Sequence, residues 1–116
     1  MTSYNSDLLR LLDERGYIYQ QTDASGLDAL AQKEPITAYI GFDCTGPCLH
    51  VGSLVQIMTL RRLQQTGHKP IVIMGVGTTK IGDPSDKTEA LPMLDDAMIE
   101  ANKISLSRIF ACFLKF

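Results

Sequence analysis

The chain has 116 residues, of which 45% are hydrophobic and 21% charged, with a net charge of −2. That length suits one domain with a modest core, and the balance excludes a disordered chain. No apolar run approaches the roughly 20 residues of a membrane span. The first residues, MTSYNSDLLRLLDERG, carry acidic groups and lack the apolar block of an export signal. Three cysteines without such a signal point to a reducing cytoplasm rather than a disulfide framework. The slightly acidic balance gives this segment alone no basic footprint for nucleic acid, which leaves room for an RNA partner held by parts of the protein outside it.

In chain order, the leucines at 8, 9, 11 and 12 predict a helix over 6–15, stopped by Gly16. Tyr17-Ile18-Tyr19 reads as a short strand. Ser25 is placed to cap a second helix, GLDALAQKE, with Asp28 at its third position and Pro35 closing it. The β-branched and aromatic run 36–42 reads as a buried strand. A helix over 51–66 follows, with Leu54, Ile57, Met58 and Arg61 on one side and Gly67 as its stop. The continuous apolar run 71–76 reads as a strand covered on both faces. Strand, helix and strand in this order predict a parallel, right-handed βαβ unit. A polar loop, GTTKIGDPSDK, then leads to a long helix starting near Pro92. Its apolar positions Leu106, Ile109, Phe110 and Phe113 carry on towards Phe116 with no stop residue, so this helix reads as cut.

The densest chemistry lies in FDCTGPCLHVGS at 42–53. Cys44, Cys48 and His50 suggest a metal knuckle, but zinc needs a fourth ligand. Only His68 and Cys112 remain, neither at a zinc spacing, so the cysteines read as loop residues. The segment GVGTTKIGDPS fails as a P-loop because Asp83 and Pro84 stand where Lys and Ser or Thr are required. It also fails as a dinucleotide fingerprint, since Lys80 occupies the third glycine position. The loop after the first strand fares better. Gly41, Gly46 and Gly52 allow close backbone approach, and a helix N-terminus suits a phosphate. His50 has two readings there: a donor to phosphate oxygens, or a cap on the helix. Asp43 and Asp83 would face one cleft, where they either bind ribose hydroxyls or an ammonium group or serve as turn residues.

Three segments together go further: YIGFDCTGPCLHVGS at 39–53, LRRLQQTGHKPIVIMG at 60–75 and IGDPSDK at 81–87. In order and spacing they resemble bacterial tyrosyl-tRNA synthetases, from about residue 4 to the end. The resemblance implies an α/β chain with a partial Rossmann-like nucleotide-binding fold. Residues 1–35 would form an N-terminal helical segment, and 36–116 the first half of a class I catalytic domain. It implies ATP-dependent activation of L-tyrosine to tyrosyl-adenylate, then transfer to tRNA. Tyr39, Thr78 and Asp83 would bind tyrosine, Tyr39 at the phenol hydroxyl and Asp83 at the ammonium group. A site built to bond a hydroxyl rejects phenylalanine strongly.

Gly41, Asp43, Thr45, His50, Gly52 and Ser53 would form the ATP site, with Thr45 and His50 catalytic at the phosphates. Lys87 would contact phosphate or the tRNA end. Mg2+ would accompany ATP, with no metal held by the protein itself. The full-length protein would be a cytoplasmic homodimer. Three positions depart from the family pattern: Ser53 replaces a second histidine, Asp86 a glycine and Leu91 an arginine. The chain therefore reads as an N-terminal part that does not complete the reaction alone. A non-catalytic nucleotide- or amino-acid-binding remnant is the alternative, and a dehydrogenase domain a weaker third.

Overall fold

A computed structural model describes residues 3–76 and 95–116. Helix α1 (Asp7–Glu14) starts at Ser6, whose hydroxyl accepts a bond from Leu9 N at 3.2 Å. This satisfies one of the N–H groups that every helix start leaves unpaired. Gly16, at φ +76°, lies just past its end in the left-handed region. Residues 17–19 do not form the expected strand, and Tyr19 is 95% exposed. The only strands among the described residues pair with each other, which leaves this tripeptide without a ladder partner.

Helix α2 (Ala24–Lys33) is capped by Asp23 rather than Ser25. The Asp23 carboxylate accepts from Gly26 N at 3.0 Å. It also meets the positive end of the helix dipole, so it starts the helix earlier than the serine would. Asp28 is not a first-turn residue but a buried anchor. Its carboxylate accepts from Asn5 N and from Ser6 N, the latter at 2.8 Å, and so ties α2 to the start of α1.

Strands β1 (Thr37–Asp43) and β2 (Lys69–Gly75) pair in parallel, from Thr37 opposite Lys69 to Asp43 opposite Gly75. Helix α3 (Val51–Gln65) connects them, completing the βαβ unit. His68, expected only as a turn residue, is buried. Its Nδ1 accepts from Ile36 N at 3.0 Å and pins the start of β1 beside the start of β2. The stripe of α3 that is buried is Ile57, Leu60 and Leu63, at i, i+3 and i+6. Leu54, expected inside, is exposed because the stripe drifts away from it towards the C-terminal half.

Helix α4 (Asp96–Ala111) buries Ile99, Asn102, Leu106 and Phe110. It begins after Asp95, whose carboxylate accepts from Met98 N at 2.7 Å, and not near Pro92. It also ends at Ala111 instead of running on to Phe116. The carbonyl of Phe113 takes a bond from Arg61 Nη1 at 2.7 Å. Gln64 exchanges two bonds with Lys115, at 2.6 and 2.9 Å. Side chains of α3 thus hold the segment that follows α4, and Leu114 turns into the core.

The core lies on one face of the sheet, where Phe42 meets Phe110 with ring centroids 4.9 Å apart. Leu8 of α1 belongs to the same cluster. The opposite face was expected to be covered, but it is open among the described residues. There Tyr39 is 68%, Ile71 39% and Ile73 42% exposed. No helix among the described residues is long and apolar enough to cross a membrane.

Candidate functional site

Period-two alternation builds the site. Along β1 Phe42 points into the core, and the pattern continues past the strand end, with Cys44 fully buried and Thr45 exposed. The loop 44–50 then delivers the chain to the start of α3, where Leu49 packs against the core. At this end of the sheet a cavity of about 210 Å³ is lined by Gly41, Asp43, Thr45, His50 and Ser53, joined by Gln56. Five of the six residues expected at an ATP site therefore line one hollow.

The sixth, Gly52, acts from beneath. His50 is the N-cap of α3, and its Nδ1 accepts from Gly52 N at 3.0 Å. A Cβ at Gly52 would stand 2.7 Å from His50 Cε1, so only glycine leaves the ring in that place. Of the two sequence readings of His50, the cap is the one observed, and it does not exclude the other. With Nδ1 accepting, a neutral ring carries its proton on Nε2. The cap thereby selects the tautomer with a donor on the exposed side of the ring. Ser53 is half-buried, and its N–H bonds to the His50 carbonyl at 3.0 Å.

The two cysteines of this loop differ in setting. Cys44 is fully buried, and burial pushes its thiol pKa up, with the negative charge of Asp43 adding to the effect. A protonated core thiol is a poor metal ligand. Cys48 also lines the hollow but is exposed. Among the described residues no group of three His, Cys, Asp or Glu side chains could hold a metal ion.

The remaining expected residues lie elsewhere. Tyr39 does not line this cavity. It sits on the open face of the sheet, opposite Ile71 in register. Thr78, Asp83 and Lys87, with the departures Asp86 and Leu91, lie outside the described residues. One residue was missed. Asn102 of α4 is buried, and its Nδ2 donates to the carbonyl of Cys44 at 2.9 Å. The available signal was a lone amide between Ile99 and Leu106 on an otherwise apolar helix face.

This arrangement has relatives. A family model described as class I tRNA synthetases (W and Y) matches residues 31–116. Over all 116 residues the chain is 64% identical to a tyrosine–tRNA ligase of Novosphingobium aromaticivorans and covers 28% of that protein. It is 62% identical to the tyrosine–tRNA ligase of Zymomonas mobilis, again over its whole length and 28% of the relative. The fold is similar to that of a C-terminally truncated mitochondrial tyrosyl-tRNA synthetase from Coccidioides posadasii. The TM-score is 0.71 at 30% identity, covering 91% of this chain and 29% of that one. The chain thus spans little more than a quarter of the length of these relatives. With the model matched across the βαβ unit and α4, the chain belongs to the class I tRNA synthetases of the tryptophan and tyrosine family.

Proposed function

We propose that this chain carries the ATP-binding part of a tyrosine–tRNA ligase. The complete protein would activate L-tyrosine with ATP and pass it to tRNA. The observation that carries this reading is the convergence of Gly41, Asp43, Thr45, His50 and Ser53 on one hollow at the N-terminus of α3. A helix start favours negative charge, and a phosphate is the ligand it suits.

In this reading the tyrosine carboxylate attacks the α-phosphorus of ATP, and the bond to pyrophosphate breaks. His50 Nε2 and the Thr45 hydroxyl donate to phosphate oxygens as charge builds on them. Asp43 and Gly41 line the adenylate. Gly41 fits that role because, among the described residues, a Cβ there would meet no atom within 4 Å. Mg2+ would accompany the ATP phosphates. Tyr39, with Thr78 and Asp83, would bind tyrosine on the open side of the sheet, and Lys87 would reach phosphate or the tRNA end. The parent protein would work in the cytoplasm as a homodimer.

The test is ATP binding by the 116-residue chain, measured calorimetrically beside tyrosine-dependent ATP–pyrophosphate exchange. Expected are ATP binding, weakened about tenfold by His50→Ala, and no sustained exchange. Binding indifferent to His50→Ala would overturn the assignment of the pocket. Sustained exchange would overturn the claim that the chain needs further residues. Ser53 lines the hollow where the family pattern described above would place a second histidine, and this favours a second reading as a non-catalytic nucleotide-binding remnant. Restoring that side chain with Ser53→His separates the two. A rise in ATP affinity supports a site one residue short of the enzyme's.

A further inference from the structure

The loop 44–50, which runs on from Asp43 at the end of β1 and carries Thr45 and His50, takes a hydrogen bond from far along the chain. Cys44 Sγ lies in the core, while the Cys44 carbonyl accepts from Asn102 Nδ2 at 2.9 Å. The donor is 58 residues away on α4, and both partners are buried. Resting on the nucleotide-site reading above, we infer that Asn102 is a positioning residue for that site. It fixes the peptide between Cys44 and Thr45 and so sets the direction of the Thr45 hydroxyl beside the Asp43 carboxylate, which the strand pairing already holds.

The chemistry supports this role over simple packing. The buried neighbours of Asn102 on α4 are Ile99 and Leu106, and leucine at 102 would fill that face at least as well. An amide there is costly to bury unless it is bonded, and the bond it makes goes to the loop rather than to its own helix. Cys44 is thereby held at two points, its side chain from below and its carbonyl from α4. The residues on either side of it, Asp43 and Thr45, both line the hollow. A site held on rigid elements needs such a tie wherever its residues sit on a loop.

The test compares the 116-residue chain with Asn102→Leu, which keeps the volume but has no donor, and Asn102→Asp, which keeps the shape but offers an acceptor to an acceptor. Three quantities are read: global stability by urea titration, alkylation of Cys44 by mass spectrometry, and ATP affinity. Exposed Cys48 and Cys112 serve as internal controls for reagent access. Expected for Asn102→Leu are a urea midpoint close to the parent chain's, alkylation of Cys44 faster by about tenfold and ATP binding weaker by a similar factor. Asn102→Asp should lower the urea midpoint as well, because it buries an acceptor against an acceptor, and it calibrates how far Cys44 reactivity rises when global stability falls.

Unchanged Cys44 reactivity in Asn102→Leu would overturn the inference, whatever happens to ATP. So would a gain in reactivity that merely follows a fall in global stability. If the parent chain fails to bind ATP, the nucleotide reading fails, but the Cys44 readout still decides whether Asn102 holds the loop.

Discussion

The two ends of this chain are held together by different forces. The α1–α2 pair is joined by a carboxylate, Asp28, which accepts from the backbone N–H groups of Asn5 and Ser6. The βαβ unit and α4 are joined by apolar packing of Phe42, Ile57, Leu60, Leu106 and Phe110. The first kind of tie is directional and depends on charge. The second is neither, and its strength scales with the surface removed from water. Acid should therefore loosen the N-terminal pair while leaving the core of the second region intact, and a cavity should do the reverse.

The largest expected effect comes from Phe110→Ala. It empties the position opposite Phe42 and should cost about 3–5 kcal/mol of stability in a urea titration. A loss below about 1 kcal/mol would mean that the core is not centred on these rings. Next is His50→Ala, which removes the cap of α3 and should cost about 1 kcal/mol, in the range of other N-cap losses. Gly52→Ala should lose the same cap by displacing the ring, so the two effects should not add. Full additivity in the double variant would show that the cap and the clash are unrelated.

Asp28→Asn is read through pH. The bonds from Asn5 N and Ser6 N hold the Asp28 carboxyl below the usual aspartate value of 3.8. Such a group contributes fully above its unfolded pKa, and its contribution is lost as pH falls through the folded value. The parent chain should thus lose stability as pH drops below about 4, while the Asp28→Asn variant should lack that part of the slope. Parallel acid profiles for the two proteins would remove Asp28 as the tie. The smallest effect belongs to Tyr39→Phe on the open face, expected within about 0.5 kcal/mol of the parent chain. A clear loss there would show that the hydroxyl has a partner within this chain.

Much of this was legible because it is local. Gly16 and Gly67 mark the ends of α1 and α3, both at positive φ, as helix stops at glycine should be. The β-branched and aromatic run 36–42 and the continuous apolar run 71–76, with a helical block between them, led directly to the parallel unit. The strand-to-helix loop brought the residues expected at a nucleotide site to one hollow because strand order and helix start are written in adjacent letters. The boundaries that went wrong depended on competition. Asp23 displaced Ser25 as a cap because a carboxylate gains from the helix dipole as well as from its hydrogen bond. Helix α4 stops at Ala111, and the segment beyond it is held instead by Arg61 and Gln64, some fifty residues earlier.

By itself the sequence determined the helices, the two paired strands and their order, through propensity and periodicity within a few residues, although it also predicted a strand at 17–19 that does not form. The set of residues at the start of α3 came with the family resemblance. Tertiary structure alone decided which face of the sheet is closed, that Tyr39 stands on the other one, and that Asn102 reaches the Cys44 carbonyl. Those outcomes depend on which distant groups meet when the apolar faces close, and a buried polar atom must then find its partner wherever the chain has brought one.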